Sequence, residues 1–130
     1  PSGIGGLEIS FYHRGLSEKL AALGIPISQE IAAVQRTGKG PMTSFRHCGN
    51  LDFYCLGWVV EIKARKFMPA DTQQLARYVN AIHSNDTYVK GGITLAFAKN
   101  GEIDMRVYEL DKLNEEYRNL PENRRKKRKF

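Results

Sequence analysis

The stretch "NLDFYCLGWVVEIKARKF" sets Asp52, Glu61 and Lys63 in a run that is otherwise largely apolar. On either side of Leu56-Gly57 it reads as a strand, with a tight turn between. A hairpin centred there places Cys55 opposite Trp58, Tyr54 opposite Val59, Phe53 opposite Val60 and Asp52 opposite Glu61. Strands alternate sides, so Leu51, Phe53, Cys55, Trp58, Val60 and Ile62 share a wholly apolar face, expected to be core with Trp58 inside it. Asp52, Tyr54, Val59, Glu61 and Lys63 share the other face. Two carboxylates directly opposite each other, with β-carbons about 5 Å apart, are destabilising. A hard divalent cation relieves that repulsion, because magnesium and its like take carboxylate oxygens as ligands. Lys63 projects from the same face, where an ammonium can orient a water and offset charge on a phosphate. The alternative is a surface hairpin with an ordinary Glu–Lys cross-strand arrangement.

The elements that must position these residues follow from periodicity and breakers. Ile9, Tyr12, Leu16, Leu20 and Leu23 form one helical stripe, closed by Gly24 and Pro26. Residues 27–34 are expected to be a first strand and residues 35–42 a loop. After the hairpin, Pro69 opens a helix from about Ala70, with Asp71 in its first turn and Leu75, Tyr78, Val79 and Ile82 as its apolar stripe. "GGITLAFA" and "IDMRVYEL" are two more strands around a "KNGE" turn. "DKLNEEYRNL" is a short amphipathic helix. The pattern predicts an α/β domain over residues 1–120, with helices flanking one mixed β-sheet, and a basic, disordered tail over residues 121–130.

The chain has 130 residues and a formal net charge of +6. Arg124, Arg125, Lys126, Lys127, Arg128 and Lys129 supply as many positive charges as the whole excess. A basic balance points to a polyanion, nucleic acid or an anionic surface. No apolar run approaches the roughly 20 residues of a membrane span, so nucleic acid is the expected partner and a membrane is not. Cys48 and Cys55 form no CxxC pair, which argues against a zinc site or disulfide framework and for a reduced, intracellular protein. "TGKG" lacks the P-loop frame, and His13, His47 and His83 have no ligand spacing. Lys19, Arg36, Lys39, Arg65 and Lys66 join the tail as candidate phosphate contacts. The tail itself fits an import signal, which would place the chain in a nucleus where there is one and otherwise in the cytoplasm. It equally fits a nucleic-acid arm or a solubilising end.

An acid on one strand followed by (D/E)-x-K on the next resembles the PD-(D/E)XK nuclease superfamily. Asp52 matches the first acid and Glu61-Ile62-Lys63 the second element. "QLARY" adds Gln74 and Tyr78, similar to the Q-x-x-x-Y element of several branches. The order "GLEISFYHRGLSEKL", "GIP", "GKG", Asp52, "VVEIKA", "QLARY" is most similar to the GxxExxY branch, over roughly residues 5–110. Leu51 stands where the superfamily name has Pro, and Glu8 lies one position from where the branch places its helix Glu. The resemblance implies a restriction-endonuclease-like core in αβββαβ order. It also implies Mg²⁺ or Mn²⁺ on Asp52, Glu61, the Ile62 carbonyl and Glu8, with Lys63 catalytic and Gln74 positioning either that lysine or a metal-bound water. The activity implied is phosphodiester hydrolysis, in DNA rather than RNA, and both structure-selective endonuclease and exonuclease action are compatible with it. The alternative is a catalytically inactive nuclease fold that binds nucleic acid or a partner.

Overall fold

The computed structural model describes residues 28–127, together with positions 15, 18, 19 and 21–24. Five strands form one sheet: β1 (Ser28–Thr37), β2 (Ser44–Cys55), β3 (Trp58–Lys63), β4 (Gly91–Phe97) and β5 (Ile103–Glu109), in spatial order β1-β2-β3-β4-β5. Among the described residues, the helices with both ends defined are α1 (Pro69–His83), α2 (Leu110–Arg118) and α3 (Pro121–Lys127). β3 and β4 are parallel and the other neighbours antiparallel. This is the expected α/β architecture with a mixed sheet, and α1 is the crossover that the parallel pair requires.

The β2–β3 turn explains the hairpin register. Leu56 and Gly57 have φ of 50° and 92°, the two positive values that a two-residue hairpin turn needs to match strand twist. Cys55–Trp58, Tyr54–Val59 and Phe53–Val60 pair as the centred turn predicts. The β1–β2 hairpin is longer than expected. Gln35, Arg36 and Thr37 pair with Arg46, Phe45 and Ser44, which confines the connection to a short loop with a 3₁₀ turn at Gly40–Met42. Glycine content marks the loop but does not count the strand residues leading into it.

Helix α1 lies on the face of the sheet that carries the acids. Its Leu75, Ala76, Val79, Ala81 and Ile82 form one buried cluster with Ala33, Leu51, Val59 and Val89; Leu51, expected on the face opposite Val59, joins it, so strict alternation does not hold along β2 up to the hairpin. A β-carbon on Gly92 would come within 2.8 Å of the Leu75 side chain, so a glycine on β4 lets the helix seat this closely. The expectation of one core face and one polar face on the hairpin is therefore corrected. Val59 and Glu61 on the acid face are as buried as Phe53 and Ile62 on the other. A right-handed crossover covers one side of a parallel pair, and the hairpin sequence does not say which. Trp58, expected in the core, is half-buried at the start of β3.

The C-terminal segment also departs from expectation. The charge run predicts a disordered tail from residue 121, yet the backbone runs as helix over Pro121–Lys127. Leu120 is buried, proline suits the first helical turn, and Glu122 accepts a hydrogen bond from Arg77 at 2.9 Å. Near the other end, Gly24 has φ 73° and follows helical positions 21 and 22, as the expected helix stop requires.

Candidate active site

Beyond the Phe53–Val60 pair, the two acids tie the β2 and β3 backbones together. The Asp52 N–H donates to Glu61 Oε2 at 2.8 Å, and the Ile62 N–H donates to Asp52 Oδ2 at 2.7 Å. Each carboxylate is thus oriented by the other residue's strand. The β2–β3 ladder ends at Phe53–Val60, so Asp52 and Glu61 do not pair in register as expected, and this reciprocal pair of side-chain bonds stands in place of that rung. Glu61 is 3% exposed. Burial first, and then the neighbouring charge of Asp52, push its carboxyl up to about 8, so the site holds a second negative charge there only with difficulty.

Lys63 stands at the end of β3, half-buried. Its Nζ donates to Gln74 Oε1 at 2.6 Å, and Gln74 Nε2 donates to Tyr78 Oη at 3.1 Å. Gln74 and Tyr78 are four apart on α1, one turn along the same helix face. The tyrosine sits tightly over β2. A β-carbon on Gly49 would lie 2.5 Å from Tyr78 Oη, and Gly49 has φ 135°, so only glycine fits both the space and the backbone. Burial, then the charge of Glu61, raises the Tyr78 hydroxyl above its ordinary range, which keeps it a neutral hydrogen-bonding group. Across the sheet, Thr94 pairs with Glu61 in the β3–β4 register. Its Oγ1 is fully buried and has no hydrogen-bond partner among the described residues.

The structure brings together Asp52, Glu61, Ile62, Lys63 and Gln74. Glu8 lies outside the described residues, as do Arg128 and Lys129 and the side chains of Arg125, Lys126 and Lys127. Among the described residues, no group of three or more His, Cys, Asp or Glu could hold a metal ion. The candidate phosphate contacts divide. Lys19, Lys39, Lys66 and Arg124 are exposed. Arg36 pairs with Asp86 at 3.1 Å on the β1 edge. Arg65 is committed to Asp71 through two bonds of 2.7 and 3.0 Å.

Two residues carry more than the sequence assigned to them. The sequence places Tyr78 in the apolar stripe and in the Q-x-x-x-Y resemblance. Its hydroxyl in fact supports the glutamine that holds Lys63. The sequence marks Asp71 as a first-turn acid. It is 3% exposed and accepts from the Met68 N–H at 2.9 Å as well as from Arg65. Its spacing from Pro69, a carboxylate at the third helical position, is the signal for that cap.

No family model matches the chain, and no curated protein does. Among solved structures, one reported as "Crystal structure of SSO0001" superposes with a TM-score of 0.58 at 18% sequence identity, covering 80% of this chain and 50% of that one. The chain thus spans about half the length of that structure, and the likeness is one of fold. No helix among the described residues is long and apolar enough to cross a membrane.

Proposed function

We propose that the chain is a metal-dependent nuclease that hydrolyses phosphodiester bonds in DNA. The observation that supports this most is the Asp52–Glu61 pair, two carboxylates locked in opposition beside a lysine that is itself held in place. The donor set suits Mg²⁺ or Mn²⁺, which prefer oxygen ligands. A buried acid with its carboxyl pushed up to about 8 gains from a cation. The unpartnered Thr94 hydroxyl next to Glu61 adds polar capacity that the protein itself leaves unused. Asp52, Glu61 and the Ile62 carbonyl would hold the ion, with Glu8 as the further carboxylate. Bound there, it would polarise a phosphate oxygen and make a coordinated water acidic.

The remaining work falls to the chain. Asp52 and Glu61 keep their oxygens aimed because each accepts a backbone N–H from the facing strand. Lys63 presents an ammonium to the phosphate or to the attacking water, where it stabilises charge that develops as the bond breaks. Gln74 and Tyr78 restrict that ammonium to one direction, so little reorganisation is needed at the moment of reaction. The net charge of +6 favours encounter with a polyanion.

The test is cleavage of linear, circular and branched DNA in manganese by the wild type and by Glu61→Gln. Cleavage by the wild type that disappears in the variant supports the proposal. Binding without cleavage in both supports a nucleic-acid-binding module instead.

A further inference from the structure

The two edges of the sheet are finished differently. At β1 the ladder bulges between Ala33 and Val34. The Arg36 N–H there donates to Ser84 Oγ at 2.9 Å, and the Val34 carbonyl accepts from Asn85 Nδ2. Bulges, charge and side-chain caps of this kind are how edges are blocked against further strands. β5 carries charge, at Asp104, Arg106 and Glu109, but among the described residues it has no bulge and no side-chain cap on its outer backbone groups. Its seven residues pair regularly with β4 from end to end and include no proline or lysine. Ile103, Met105 and Val107, all on one face, are 64%, 62% and 52% exposed.

At the two ends of β5, the Ala98 N–H donates to the Glu102 carbonyl and the Leu110 N–H to the Lys90 carbonyl. Even-numbered residues of this strand therefore bond to β4, and alternation turns the N–H and C=O of Ile103, Met105 and Val107 outward. A second β5 can bond to these groups only if odd residues face odd residues.

We propose that β5 is the contact between two copies of this chain, paired antiparallel about a two-fold axis at Met105 into one continuous sheet. Of the registers that parity permits, this one sets Asp104 opposite the second copy's Arg106 on both sides of the axis. Shifting the axis to Asp104 or to Arg106 sets like charges against each other, which is destabilising. The charged pairs fall at non-hydrogen-bonded positions, where side chains approach most closely. In one copy, Asp104 and Arg106 already bond each other at 3.0 Å, so the contact joins two such pairs into a four-charge network. On the opposite face, Ile103 meets the other Val107 and Met105 meets its own copy, which covers the exposed apolar strip. Roughly six backbone hydrogen bonds close the join.

The register makes an unusual test possible. Asp104→Arg alone and Arg106→Asp alone each place like charges across the axis, so each should sediment as a monomer. Mixed in equal amounts, the two variants restore opposite charges at every position and should form a heterodimer. The wild type at about 100 μM should sediment at twice the chain mass of 14.7 kDa, and Met105→Lys should not. Hydrogen exchange should show the amides of Ile103, Met105 and Val107 protected in the concentrated protein and exposed on dilution. A monomeric wild type, a dimer indifferent to these substitutions, or a dimer whose odd β5 amides stay exposed would each overturn the proposal. So would two variants that remain monomeric when mixed while each keeps its fold by circular dichroism.

Discussion

Glu61 and Asp71 are equally buried, at 3% exposure, and their surroundings act on them in opposite directions. Asp71 faces a guanidinium that grips both its oxygens, and it also takes the Met68 N–H at the start of α1. Burial alone would raise its carboxyl, but the bonds from Arg65 and Met68 bring it below the ordinary range. Glu61 takes one N–H from Asp52, lies against a second carboxylate, and is pushed up to about 8. One acid is satisfied by the fold and steadies it. The other is held in a place that does not suit its charge, which is where a catalytic or ligand-binding group is to be sought.

The sharpest way to separate the two acids is to neutralise each. Glu61→Gln or Asp52→Asn should abolish cleavage, by about a thousandfold or more, because an ion ligand is lost. Measured by denaturant in chelator, the same variants should be at least as stable as wild type, since a repulsion is relieved. Asp71→Asn should do the reverse. It removes the charge partner of a guanidinium that is 44% exposed and weakens the cap, at about 1 to 2 kcal/mol of stability, with saturating turnover retained in whatever remains folded. If Asp71→Asn left stability intact, or if Glu61→Gln destabilised strongly, the distinction would fail.

Lys63→Ala should lower turnover by about a hundredfold to a thousandfold while leaving manganese affinity by calorimetry nearly unchanged. Gln74→Ala should act in the same direction with a smaller effect, because it removes only the support for the ammonium.

The pH dependence of stability in chelator should show both acids with opposite slopes. Glu61 has its folded carboxyl raised from 4.5 to about 8, so the folded state holds an extra proton between those values and stability falls as pH rises through them. Asp71 has its folded carboxyl lowered, so its contribution is present above the ordinary carboxylate range and is lost as pH falls into acid. Glu61→Gln should flatten the neutral decline and leave the acid decline in place. Denaturant midpoints across the pH range check both slopes.

The smallest effect expected is that of the basic end. Deleting residues 123–130 should lower the slope of log affinity against log salt by about 2 to 3, with saturating turnover near wild type. Equal slopes would mean that the segment does not lie on the nucleic-acid backbone.

Much of the site was legible in the sequence because a hairpin fixes its own register. A turn at Leu56-Gly57 sets the register as far as Phe53–Val60 and so brings Asp52 near Glu61, and two-residue alternation along β3 puts Lys63 on the same face as Glu61. The side taken by α1 was not legible, because it depends on the crossover and not on the strands. The burial of Glu61 and the role of the Tyr78 hydroxyl follow from that placement, so they escaped too. Arg65 looked like a phosphate contact because its partner Asp71 lies across a loop, on the first turn of the next element. The helix over Pro121–Lys127 was hidden by its charge run, since one buried leucine and one ion pair are enough to extend a helix that composition alone would leave unfolded.

The central claim is that the Asp52–Glu61 pair is a metal site, and thermal unfolding with and without manganese tests it most directly. A ligand that binds only the folded state raises the midpoint with its concentration. The wild type should gain several degrees on addition of millimolar-range manganese, and Glu61→Gln should gain none. An equal gain in both proteins, or no gain in the wild type, would contradict it.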